Sequence, residues 1–143
     1  MNQVVEGLNK LLADTYTLYL KTQNYHWHVT GPNFKELHEL FELQYNDLAV
    51  AVDDLAERIR IIGFKAPATF KEFESLRSLQ DGNSSLKSTE MLQEIHADHM
   101  LIVKSLTATL AVAADNHDEG SVALLSERIS VHEKMAWMIL SSM

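Results

Sequence analysis

Two pairs of potential metal ligands stand four residues apart on one helical segment: His38 with Glu42, and Asp53 with Glu57. Side chains at i and i+4 leave the same face of an α-helix, so each pair can grip one cation. The separations of 4, 11 and 4 residues come close to whole turns, which puts all four on one stripe beside the apolar stripe. The 11-residue gap from Glu42 to Asp53 spans about 16 Å of helix, too far for the two pairs to share a metal within one chain. A second copy of the helix closes that gap. Residues 38 and 57 share a midpoint of 47.5 with residues 42 and 53. A two-fold axis beside Asp47 and Leu48 therefore places residue i opposite residue 95 minus i of an antiparallel copy. His38 then faces the mate's Glu57, Glu42 faces the mate's Asp53, and small Ala49 lies opposite Asn46. Such an isologous dimer has two equivalent sites. His26, before the turn, can fold back to add an imidazole. Each pair also has a plainer reading: a solvated i,i+4 pair, and a surface ion pair from Glu57 to Arg60 of small worth.

Composition narrows the metal. The chain has 143 residues, 46% of them hydrophobic, with a net charge of -8 and no cysteine. Thiolate sites and disulfides are excluded, so carboxylates and imidazoles must do any ligation, a mixture that suits iron, manganese or zinc. Open positions beside such ligands leave room for an oxidant. The acidic balance repels nucleic acid and attracts cations. Residues 1–12 lack the apolar run of a signal peptide, and no apolar run approaches the roughly 20 residues that span a bilayer. A soluble cytoplasmic protein of one domain, 1–143, is expected, without membrane association.

The elements that must position these ligands are helical. Val5, Leu8, Leu12, Tyr16 and Tyr19 set a first helix from about Val4 to His28, stopped by Thr30, Gly31, Pro32 and Asn33. Phe34, Leu37, Phe41, Leu48, Val52, Leu55, Ile59 and Ile62 set a second from about Phe34 to Ile62. Asn33 is its expected N-cap, and Gly63 lies just past its end. The pattern weakens from Phe64 to Ser88, with room for a short helix near Phe70 to Arg77. A third long helix runs from about Thr89 to Ala114, and a fourth from the break at residues 115–118 to Leu140. Two long helices, a long crossover and two more describe an all-α, ferritin-like four-helix bundle with a short extra helix in the connection between helices two and three. No Glu is followed by His three residues later, so the intra-bundle Glu-x-x-His type of di-metal site is disfavoured and a site between subunits gains.

Three segments carry a family resemblance. Residues 25–34 (Tyr25-His26-Trp27 through Gly31 to Phe34), then Leu37-His38-Glu39, then Asp53-Asp54-Leu55-Ala56-Glu57-Arg58, resemble the Dps family (miniferritins, DNA-binding proteins from starved cells) and its HW-x(3)-G-x-x-F, H-x(3)-[DE] and D-x(2)-AER patterns. The helix layout extends the likeness over essentially the whole chain. The resemblance implies a dodecamer built from two-fold dimers, with a ferroxidase centre at each two-fold interface. His26, His38 and Glu42 would come from one subunit, and Asp53 and Glu57 from its mate. It implies oxidation of Fe(II), with hydrogen peroxide preferred over oxygen, and storage of ferric mineral in the cavity. Glu42 departs from the family's commoner Asp, which alters the reach of that carboxylate. The family's alternative role, coating DNA, fits poorly: the first twenty residues hold only Lys10, and phosphate binding needs several cations. DNA binding is expected to be weak or absent.

Other residues have two readings. Trp27 matches a tryptophan near the family's centre, where it either quenches radicals or packs at an interface. Asp115, Asp118 and Glu119 either line a three-fold pore, as the resemblance implies, or complement a helix N-terminus. His96 and His99 read as an exposed or interface pair, while His28, His117 and His132 have no partner at ligand spacing. Glu36, Glu39 and Asp54 suit either a mineral-nucleating cavity wall or a solvated face.

Overall fold

The computed structural model describes residues 2–143. Its helices are α1 (Asn2–His28), α2 (Phe34–Ile61), α3 (Phe70–Leu76), α4 (Ser88–Asp115) and α5 (Glu119–Leu140), with no strand among the described residues. This is the expected all-α bundle. α1 packs on α2 and α4, α4 on α5, and α2 meets α5 to close the four-helix ring. The apolar stripes meet inside. Leu8, Leu11 and Leu12 of α1, Phe41, Leu48 and Leu55 of α2, Ile95 and Ile102 of α4, and Leu125 and Ile139 of α5 are all buried. By length and composition α4 alone, among the described residues, is apolar enough to cross a membrane, contrary to the expectation that no segment would be. Here its apolar stripe faces α1 and α5.

Local chemistry sets the turns. Gly31 takes φ +114° between α1 and α2, where a Cβ would be strained. Asn33 occupies the expected cap position of α2, but its side chain makes no capping bond. The turn is closed by backbone instead, from Phe34 N to Gly31 O at 3.1 Å. Gly63, φ +99°, ends α2 in a Schellman motif, with Phe64 N on Ile59 O and Gly63 N on Arg60 O. His117, φ 55°, does the same for α4, with Asp118 N on Ala113 O. The crossover is pinned to α1 from both sides. Asp14 accepts from Ser78 N and Leu79 N, and Tyr25 Oη accepts from Asn83 N while donating to Glu94.

α1 approaches α4 closely at Gly7, where a Cβ would lie 2.6 Å from the Thr109 side chain. Overpacking of this kind costs about 1–3 kcal/mol, more than the up to about 1 kcal/mol of helix propensity that alanine adds. Gly7→Ala is therefore expected to lower the unfolding midpoint in thermal melts, and Thr109→Ala in the same chain to restore most of it.

Candidate metal centre

The turn from α1 to α2 lays the rings of His26 and His38 face to face, centroids 3.7 Å apart and 13° from parallel. His26 is buried and His38 half-buried. His26 Nδ1 donates to His38 O at 2.6 Å, and His38 Nδ1 donates to His26 O at 2.7 Å. A carbonyl only accepts, so both Nδ1 atoms carry hydrogen, and a neutral ring held in this way keeps its lone pair on Nε2. An N–H held by a backbone carbonyl is the usual way a protein fixes the tautomer of a ligating imidazole. Phe34 stacks on His38 at 5.0 Å, and Tyr45 meets His26 edge-on at 5.2 Å.

Further along α2, Asp53, Asp54 and Glu57 are exposed, and each offers a carboxylate oxygen within 4.8 Å of the others. Glu57 is held above the usual carboxylate range, first by its hydrogen bond with Asp53 and then by that neighbour's charge. The surface ion pair from Glu57 to Arg60 does not form. Arg60 Nη1 donates to Phe64 O, and Arg58 donates to Asp118 Oδ1 at 2.6 Å and Ser121 Oγ at 3.0 Å. The basic neighbours are thus turned away from the acids.

The acidic trio does not include His26, His38 or Glu42. His26 and His38 are brought together near the start of α2, and Asp53 and Glu57 further along it, with the 11-residue gap between the two groups. Glu42 is exposed one turn after His38, and its charge, second to burial, raises the phenol of Tyr45. Leu43, Val50 and Ile61, all more than 60% exposed, accompany the acids along α2. Exposed apolar side chains thus share the outer side of α2 with the acids. Ala49 and Asn46 are exposed on the same helix.

Asp118 is buried, accepts from Ser121 N and Ser121 Oγ, and ion-pairs with Arg58. It caps α5 and holds α5 to α2, and its carboxyl is lowered by these bonds against the opposing effect of burial. Asp115 and Glu119 remain exposed. Trp27 is 60% exposed beside His26.

The expectations for two histidines are overturned. His99 is not an exposed or interface residue, and His132 does have a partner. Both are buried, with Nδ1 atoms 3.0 Å apart. Arg128 can only donate, so His132 Nε2 accepts from it at 2.9 Å. His132 Nδ1–H then donates to His99 Nδ1, and His99 Nε2–H donates to Gln44 Oε1 at 3.0 Å. Gln44 Nε2 ends the chain on Met135 O, and Arg128 also ion-pairs with Asp47 at 2.9 Å. A visible signal existed. His99 falls between Ile95 and Ile102 on the core stripe of α4, and His132 between Leu125 and Ile139 on that of α5. Burial, and then the positive charge of Arg128, push His99 down to about 3. His132 is lowered in the same way.

Comparison with known proteins fits this geometry. A family model described as a ferritin-like domain matches residues 5–142. The chain is 38% identical over 137 residues to DNA protection during starvation protein 2 of Bacillus anthracis, covering 96% of this chain and 94% of that one. A Dps crystal structure from Bacillus brevis superposes with TM-score 0.94 at 33% identity, covering 96% of this chain and 93% of that one. A Dps from Vibrio cholerae, described as belonging to a broad superfamily of ferritin-like diiron-carboxylate proteins, gives TM-score 0.94 at 30% identity, covering 98% and 88%.

Proposed function

The chain belongs to the Dps family of the ferritin-like superfamily, and from that premise we propose that it stores iron and protects against oxidative damage as a ferroxidase whose centres lie between subunits. The observation that carries this reading is the divided ligand set. Two imidazoles held through Nδ1 by backbone carbonyls stand at one end of α2, and three clustered carboxylates stand toward the other. Antiparallel pairing of two α2 helices joins one half to the other. His26, His38 and Glu42 of one subunit would then bind Fe(II) with Asp53 and Glu57 of its mate.

Iron is the substrate here, and the protein supplies geometry, charge and water access. Two Fe(II) ions give one electron each to hydrogen peroxide, yielding two Fe(III) and two hydroxide ions. Oxygen is the slower alternative oxidant. The imidazoles tolerate Fe(II), and the carboxylates favour Fe(III). Twelve subunits built from two-fold dimers would form the cage, in the cytoplasm. Native mass together with Fe(II) oxidation assays tests this. The expected result is a dodecamer that oxidises Fe(II) faster with peroxide than buffer does. A monomer, or oxidation no faster than buffer, would contradict it.

Coating of DNA is the rival function. The net charge of -8 and the single Lys10 in the first twenty residues leave too few cations to release phosphate counterions. No shift of plasmid DNA is expected in gels at about 0.15 M salt, where phosphate contacts are already weakened. Retardation at that salt would restore the rival.

A further inference from the structure

Arg58 does not take the partner that its own helix offers. Asp54 stands four residues before it, the spacing and order of an i,i+4 ion pair. The guanidinium turns instead across to the start of α5. There it donates to Asp118 Oδ1 at 2.6 Å and, through Nε, to Ser121 Oγ at 3.0 Å. An exposed pair within one helix is weak, whereas a charge-assisted bond to the buried Asp118 is of the stronger kind. The seat is shaped for this group. A Cβ on Gly120 would lie 2.5 Å from both Nη atoms of Arg58. Gly120 is the second residue of α5 and takes no positive φ, unlike Gly31 and Gly63. Its backbone therefore does not require glycine, and alanine would favour the helix. What the missing side chain provides is space for the guanidinium.

We propose that Asp118 and Gly120 are positioning residues for the metal centre, which withhold the Arg58 cation from Asp53, Asp54 and Glu57. This rests on the ferroxidase reading above. The three carboxylates each offer an oxygen within 4.8 Å of the others, so a guanidinium paired with Asp54 would stand at the edge of the cluster. Fe(II) would then have to bind against that charge or displace it. Held at Asp118, the same cation joins α5 to α2 and leaves the acids free for the metal. Neither Asp118 nor Gly120 touches iron. They act through the place where Arg58 is held, and so on affinity for the ion rather than on electron transfer once it is bound.

Gly120→Ala tests this in the assembled protein. The atoms a methyl group would strike are the end of a flexible side chain, so Arg58 swings away while Asp118 still caps α5 through Ser121 N. Binding is measured by calorimetric titration with Co(II) in the absence of oxidant, and turnover by Fe(II) oxidation with peroxide. Gly120→Ala is expected to weaken Co(II) binding about tenfold, from a like charge close to the ion. KM for Fe(II) should rise by a similar factor at unchanged kcat. Asp118→Asn, which loosens the same cation without adding a methyl group, should act in the same direction. Arg58→Met keeps the length of the side chain and removes its charge, so Gly120→Ala/Arg58→Met should bind Co(II) as wild type does. Wild-type affinity in Gly120→Ala and Asp118→Asn overturns the positioning role. So does a loss that persists in Gly120→Ala/Arg58→Met, which would mark a change of shape in α5 rather than a misplaced charge. A wild type that neither binds Co(II) nor oxidises Fe(II) would instead overturn the parent function.

Discussion

His38→Ala is expected to lower the initial rate of Fe(II) oxidation at least about a hundredfold, since loss of even an outer-shell partner costs metal sites 10–100-fold. The ring supplies one imidazole Nε2 and one face of the stack on His26. Its removal leaves a half-site with a single imidazole and, by the proposed pairing, strands the mate's Glu57 without a nitrogen ligand. The carbonyl that orients His26 belongs to the backbone at residue 38 and survives the substitution. His26 should therefore stay in its tautomer, and helix content by circular dichroism should not change. Rate and fold thus separate in this variant. Absorbance at the ferric band after mixing with Fe(II) and peroxide measures the rate. A rate within a few-fold of wild type would show that His38 is not a ligand.

The second large effect is on acid stability. The hydrogen-bond chain through His99 and His132 requires both rings neutral, because a proton on either would leave two donors facing each other or a donor facing Arg128. Unfolded histidine binds a proton near pH 6.5, whereas folded His99 does so only at about 3 and His132 is lowered likewise. The folded-state values are depressed, so their contribution is complete above pH 6.5 and is lost as pH falls, because the unfolded chain binds the protons. Each histidine gives a slope of up to about 1.4 kcal/mol per pH unit, and the pair up to about 2.7. Asp98, raised by burial, acts in the opposite sense. The histidine contribution begins to be lost just below the unfolded value, from about pH 6.5 to 5. Thermal midpoints across that interval should fall steeply in wild type and more gently in His99→Gln/His132→Gln. Equal slopes would contradict the neutral-pair assignment.

Much of the bundle could be read from periodicity. Val4, Leu8 and Leu12, or Phe41, Leu48, Leu55 and Ile59, repeat at helical spacing because burial on one face enforces it, and the long helices end within two residues of the expected positions. The cap at Asn33 was misjudged because capping propensity is local, while Gly31 had already closed the turn through the backbone. The shared midpoint of residues 38, 42, 53 and 57 needed only integer positions on α2. The reciprocal bonds of His26 and His38 were not legible, since they depend on how the turn sets two backbone carbonyls. The His99–His132 pair joins helices that are separate in sequence, and no spacing within either helix names the partner. Arg58 follows Asp53, Asp54 and Glu57 in sequence. Its partner, Asp118, lies 60 residues away and came together with it only in the packed bundle.

Division of the centre between two chains can be tested by complementation. Co-assembly of His38→Ala subunits with Glu57→Ala subunits gives mixed dimers in which one site carries both defects and the other carries neither. With random pairing half the dimers are mixed, and each regains one of its two sites, so roughly a quarter of the wild-type oxidation rate should return from two inactive parents. If His38 and Glu57 serve the same site from within one chain, every site in the mixture is broken, and the rate would stay at the level of the parents.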